Sequence, residues 1–327
     1  MAIDIHCHFF PKGYLELIER EGRPFNLTLC RDQEGRLRCN IKGRLHPPLE
    51  PFSEPDLRLK AMEAKGVRTE VISLSSWPNV YWADPCLGRD LSRAVNEGYR
   101  DLAQAYPGRF VGMASVPLQD VRAAIEEAER AVGELGLKGV LAGTNINGRY
   151  LDHPDFLPFL EAVEALGVPL LIHPIPHAAR ELMEEYFLFN LLGYPLESTL
   201  ALSRLIFSGR LERFPGLRFI LVHGGGIFPY LRGRLERGYK VVEECRSRGS
   251  RPPGEYIERF NFDTVVFRPD ILRFLVEAVG RERVLLGSDF PYDSQDPDPL
   301  KTLEGAELSE EDRRLISEEN ARLLLGL

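Results

Sequence analysis

Eight short runs rich in β-branched and large apolar residues recur along this chain, with helically spaced segments between them. The runs are Ala2 to His8, Thr69 to Ser73, Phe110 to Ser115, Gly139 to Gly143, Pro169 to His173, Arg218 to His223, Asn261 to Thr264 and Val284 to Ser288. The helical patterns include Val121 to Leu135, Asp155 to Leu166 and Asp270 to Val279, each with apolar residues three and four apart. Strand and helix in regular alternation call for a parallel sheet. Runs that are almost continuously apolar belong to strands covered on both faces. Eight of them predict a closed (β/α)8 TIM barrel, with an open doubly wound sheet as the alternative.

A length of 327 residues is compatible with two domains, but barrels of this size are routinely single, so residues 1–327 read as one barrel domain. One segment interrupts the rhythm. Between a first helix at about Tyr14 to Arg20 and a second at about Glu54 to Gly66, the runs LTLC and LRCNI flank the turn-like Asp32-Gln33-Glu34-Gly35. They predict a small β-hairpin insertion after strand 1, spanning 22–50, with Pro47, Pro48, Pro51 and Pro55 stiffening the return path. An insertion after a barrel strand sits at the C-terminal mouth, where barrel active sites form, which makes this hairpin a candidate lid.

Composition narrows the function classes. With 41 Lys+Arg against 49 Asp+Glu the formal charge is −8, which opposes general binding to nucleic acid or to anionic membrane. Five cysteines with no CxxC pair argue against a disulfide framework. The opening Met1-Ala2-Ile3-Asp4-Ile5-His6 lacks signal-peptide character, and no apolar run approaches the ~18 residues of a membrane span. The expectation is a cytoplasmic enzyme.

Four of the seven histidines fall at predicted strand ends: His6 and His8 on strand 1, His173 on strand 5 and His223 on strand 6. Asp289 follows strand 8. In a barrel these ends open onto one mouth, and residues i and i+2 of a strand share a face, so His6 and His8 point inward together while Cys7 points out. Imidazoles and a carboxylate around one point make a divalent-metal site, with zinc favoured and iron, manganese or cobalt open. Taken singly, His223 reads equally as a strand-end histidine and Asp289 as a helix cap. His46, His153 and His177 lie in loop-like contexts where surface roles are expected.

The ordered motifs His6-Cys7-His8-Phe9-Phe10-Pro11, Leu171-Ile172-His173-Pro174, Val222-His223-Gly224-Gly225-Gly226 and Gly287-Ser288-Asp289-Phe290-Pro291 resemble those of the amidohydrolase superfamily. The branch they resemble is the one related to aminocarboxymuconate semialdehyde decarboxylase. Pro252-Pro253-Gly254-Glu255-Tyr256 and Asn261-Phe262-Asp263-Thr264 fit it at strand 7. The resemblance implies that His6, His8, His173 and Asp289 hold one metal, usually zinc, and that His223 is the catalytic acid/base beside Asp289. Binuclear members carry a bridging lysine at the end of strand 4. Here Lys138 stands at that strand's beginning, so one metal is expected.

Metal and histidine together serve either hydrolysis or decarboxylation. The resemblance implies a carboxy-lyase acting on a small aromatic or muconate-type acid; the alternative is a hydrolase of a lactone, amide or ester. It further implies that Arg234, after Gly233, clamps substrate from a neighbouring subunit of a homodimer. Read from the residues alone, Arg232, Arg234 and Arg237 also suit the solvated face of a helix. A second substrate arginine of the resembled decarboxylase is replaced by His46-Pro47, leaving Arg44 as the candidate from the same hairpin. Trp77 and Phe290 are candidate walls of the substrate pocket, with ordinary packing as their other reading.

Overall fold

The computed structural model describes residues 2–76 and 79–327. Thirteen strands are present among them. In chain order they are β1 (Ala2–His8), β2 (Leu27–Arg31), β3 (Leu37–Ile41), β4 (Arg44–Pro48), β5 (Val67–Ser73), β6 (Phe110–Ser115), β7 (Gly139–Gly143), β8 (Asn145–Ile146), β9 (Arg149–Tyr150), β10 (Leu170–His173), β11 (Phe219–Leu221), β12 (Phe260–Asp263) and β13 (Val284–Leu285). Eight of them form one parallel sheet in the order β1-β5-β6-β7-β10-β11-β12-β13. The ends of that sheet meet. Ile5 N donates to Leu286 O at 2.8 Å, Asp289 N to His6 O at 2.9 Å and His8 N to Phe290 O at 2.8 Å. The expected (β/α)8 barrel is the fold.

Burial explains why these runs lack alternation. Every residue of β1, β6, β7 and β10 is buried, one face turned to the barrel interior and the other to the surrounding helices. The helix Pro85–Ala105 shows how the outer layer is specified. Asp84 caps it by accepting from Cys86 N and Leu87 N, and Leu91, Val95, Tyr99 and Leu102 are buried at helical spacing. Tyr99 then donates its hydroxyl to Phe9 O at 2.8 Å, bolting this helix to the end of β1.

The insertion is larger than the expected hairpin. β2 and β3 pair antiparallel as the sequence implies, and β4 adds a third strand, with Ile41 opposite Arg44 across Lys42 and Gly43. Both of those turn residues have positive φ, 50° and 86°, as a two-residue hairpin loop requires. Pro47 and Pro48 argue against a strand, but β4 pairs only with β3, and an edge strand tolerates proline. Leu49 N donates to Leu37 O and Phe10 N to Phe52 O, tying the insertion to the barrel rim. Among the described residues no helix is long and apolar enough to cross a membrane.

Candidate metal centre and active site

His6 and His8 project together into the barrel from the last residues of β1, and both are fully buried. His173, the last residue of β10, faces them; the ring centroids lie 5.1 Å (His6 to His8), 5.4 Å (His6 to His173) and 5.1 Å (His8 to His173) apart. Asp289 completes the set. Its Oδ1 is 3.0 Å from His8 Nε2 and 3.3 Å from His6 Nε2. One donor atom from each of the four residues lies within 4.8 Å of every other.

Several observations show that these residues suit a divalent ion. The Nε2 atoms of His6 and His173 are buried without a hydrogen-bond partner, an arrangement that costs free energy unless something accepts the lone pairs. The opposite ring nitrogens are committed. His6 Nδ1 donates to Asp263 Oδ2 at 2.7 Å, and His173 Nδ1 donates to Pro174 O at 3.2 Å. Each ring is thereby fixed as the Nδ1–H tautomer with Nε2 turned inward, as a metal-ligating histidine requires.

The protonation states of His8, His173 and Asp289 agree with that role, whereas His6 would give up its Nε2 proton to an incoming ion. Burial lowers the pKa of His8 to about 4, and burial with the neighbouring imidazoles of His8, His6 and His223 places His173 well below the ordinary value. Both are neutral donors at neutral pH. Burial alone would raise Asp289, but His6, His223 and His8 hold it well below the carboxylate range. Burial also opposes charge on His6, and the carboxylates of Asp289, Asp263 and Asp4 outweigh it and raise that pKa.

His223 follows β11 in the left-handed region, φ 56°, and Asp289 has φ 66°. Such backbone costs about 1–3 kcal/mol per residue and persists where surrounding contacts enforce it. Around His223 the enforcement is visible. Gly224, Gly225 and Gly226 also have positive φ, and a Cβ on Gly226 would lie 2.2 Å from Pro195 O. This turn brings His223 Nε2 to 3.5 Å from Asp289 Oδ2 and its ring centroid to 5.0 Å from that of His6. A fourth imidazole thus stands beside the three-histidine, one-aspartate cluster.

A cavity of about 750 Å³ opens above the cluster. His173, Asp289, Ser76, Tyr194 and Tyr292 line its inner part. The insertion forms one wall, through Arg38, Arg44 and His46, and Arg180, Phe187 and Phe189 come from the chain after β10. Arg44 is on the cavity, its guanidinium carbon 5.3 Å from the Phe189 ring centroid.

Other expected substrate residues are placed differently. Trp77 lies outside the described residues. The Phe290 ring does not line the cavity; it sits between Arg58, 4.5 Å from the centroid, and Lys65, 4.2 Å away. The left-handed backbone at Asp289 turns the chain there, and Phe290 O instead accepts from His8 N. Arg234 is exposed on the helix Phe228–Val241, away from this chain's own cavity lining. His46, expected on the surface, is buried and lines the cavity, with Nε2 3.0 Å from the Tyr292 hydroxyl.

Three contributors escaped sequence reasoning. Asp263 orients His6, and its position at the end of β12 follows the same strand-end rule that marks the histidines. Tyr292 stacks edge-on against His8 at 5.4 Å. Glu197, fully buried, accepts from Tyr150 Oη, Asn145 Nδ2 and the amides of His177 and Ala178, which pins the chain that carries Arg180. An acidic residue inside an apolar helix was the available signal for Glu197.

Comparison with known proteins places this geometry. Residues 3–327 match the family model described as amidohydrolase. A 2-amino-3-carboxymuconate-6-semialdehyde decarboxylase of Dictyostelium discoideum is 33% identical over 330 residues, covering 100% of this chain and 92% of that protein. The crystal structure of 5-carboxyvanillate decarboxylase from Sphingomonas paucimobilis superposes with a TM-score of 0.87 at 25% identity, covering 100% of this chain and 99% of the other. A dihydroxybenzoic acid decarboxylase from Polaromonas, solved with bound manganese and 2-nitroresorcinol, gives a TM-score of 0.82 at 26% identity, covering 100% and 97%. The chain is an enzyme of the amidohydrolase family, in the branch that includes aminocarboxymuconate semialdehyde decarboxylase.

Proposed function

We propose that this enzyme is a mononuclear metal-dependent non-oxidative carboxy-lyase of a small aromatic or muconate-type carboxylic acid. The observation that carries the reading is His223 beside a three-histidine, one-aspartate cluster, two members of which, His173 and Asp289, line a cavity with aromatic walls. A divalent ion held by His6, His8, His173 and Asp289 supplies Lewis-acid polarisation and a positive anchor for substrate oxygens. Zinc is our assignment from the nitrogen-rich donors; manganese, bound in the Polaromonas relative, is the principal competitor.

In this reading His223 delivers a proton to the carbon that bears the carboxylate. The carbon–carbon bond then breaks, its electron pair restores the conjugated π-system that took up the proton, and carbon dioxide leaves. His223 is reprotonated from solvent for the next cycle. Phe187, Phe189, Tyr194 and Tyr292 suit a planar apolar body, and Arg44 with Arg180 supplies positive charge at the cavity rim. Arg234 belongs to the partner's cavity in a homodimer. Its exposure, and the 76% exposed Tyr230 on the same helix, support that placement. A cytoplasmic location accompanies the reading, in keeping with five free cysteines.

The same parts serve metal-dependent hydrolysis of a lactone, amide or ester, and the decarboxylase relatives favour the first assignment. Carbon dioxide release from a panel of hydroxylated benzoic and muconic acids tests it. Release that requires added metal is the expected result; turnover of lactones or amides alone overturns it.

A further inference from the structure

The Asp263 carboxylate is fully buried and uses both oxygens for different purposes. Oδ2 accepts from His6 Nδ1 at 2.7 Å, holding a donor of the metal cluster. Oδ1 accepts from Gly224 N at 2.7 Å, and from Val265 N at 3.1 Å. Gly224 is the residue after His223, within the run of positive φ that aims the imidazole at Asp289. One rigid side chain therefore spans β1 and the turn after β11.

The surroundings are shaped for this bridge. A Cβ on Gly287 would lie 2.9 Å from Asp263 Cβ and 3.1 Å from His6 Cβ, so a glycine there lets Asp263 and His6 meet. A Cβ on Gly224 would lie 2.6 Å from Val266 Cγ1, and its φ is 61°, so the amide reaches Asp263 through backbone that only glycine adopts freely.

We infer that Asp263 is a positioning residue that couples the metal ligand His6 to the turn carrying His223, so that ion binding and placement of the acid/base are linked through one carboxylate. The inference rests on the metal-centre reading above and not on the reaction assigned to it. Its chemistry needs two acceptor oxygens. Asparagine is nearly isosteric but has a single acceptor, so it satisfies His6 Nδ1–H or Gly224 N–H and turns an N–H donor toward the other.

The test is D263N against wild type in the full chain, with zinc as probe. Chelator competition should show zinc affinity about 10- to 100-fold weaker in D263N. Amide exchange gives a second readout that does not depend on turnover. In wild type, zinc should slow exchange at Gly224 and Val265; in D263N that zinc-dependent protection should vanish even at saturating zinc. Unchanged affinity, or retained protection at Gly224 in zinc-saturated D263N, overturns the coupling. Should D263N fail to fold, wild type alone decides, because absence of zinc-dependent protection at both amides overturns it and its presence sustains it. Wild type that takes up no zinc defeats the metal-centre reading together with this one, whereas wild type that binds zinc beside an unaltered D263N defeats this one alone.

Discussion

His46 Nε2 lies 3.0 Å from the phenolic oxygen of Tyr292, and Tyr292 in turn donates to Ser75 Oγ at 2.6 Å. This chain runs from the insertion, through the loop after β13, to the end of β5. The insertion thus contributes a tyrosine-bound imidazole to the cavity wall. Arg38, Lys42 and Arg44 of the insertion, with Arg180, are the cationic residues on the cavity lining among the described residues.

Removing the Tyr292 hydroxyl separates His46 from Ser75. Y292F should cost about 1–2 kcal/mol in denaturant unfolding, the range for two buried neutral hydrogen bonds. It should leave metal content unchanged, because the phenol is not among the donors. Stability equal to wild type would show that the chain contributes nothing.

His223 carries the proton in our account and lies outside the ligand set. H223N should lower kcat by at least about 100-fold while bound metal, measured by elemental analysis, stays at one ion per chain. Loss of metal with loss of activity would reassign His223 to the ligands.

The ligand cluster should make stability depend on metal. At an ion concentration 100 times the Kd, linkage predicts about 2.7 kcal/mol of added stability, visible as a rise in Tm. H173A should abolish that rise, since it removes one of three imidazoles. A Tm in wild type that ignores both chelator and added zinc would contradict the site.

Arg234 is expected to act in the partner's cavity. R234A should raise KM or lower kcat/KM by about an order of magnitude. Mixing inactive H223A with R234A after dissociation should restore activity, because a mixed dimer holds one cavity with both groups intact. No recovery from verified mixed dimers would place Arg234 outside the site.

The legible and illegible parts of this molecule separate by range of interaction. β1 was readable because period-2 alternation assigns His6 and His8 to one face without reference to any other segment. The strand ends at His173 and Asp289 were readable because barrel topology alone brings such ends together. Side-chain direction within turns was not. Phe290 points to Arg58 and Lys65 because of the left-handed backbone at Asp289, a property that no local pattern encodes. His46 and β4 were obscured by Pro47 and Pro48, which mark a loop unless the strand is known to be an edge. Asp263 was visible in its motif, yet two of its bonds depend on His6, 257 residues away, and on Gly224.

The central claim is that His223 protonates the carbon that loses carbon dioxide. Turnover of an accepted aromatic or muconic acid in D2O, with the product analysed by mass spectrometry and NMR, tests it most directly. The account predicts metal-dependent carbon dioxide release, one deuterium at the vacated carbon, and loss of this reaction in H223N. A protein that releases no carbon dioxide from any such acid but hydrolyses lactones or amides with the same metal dependence would contradict it.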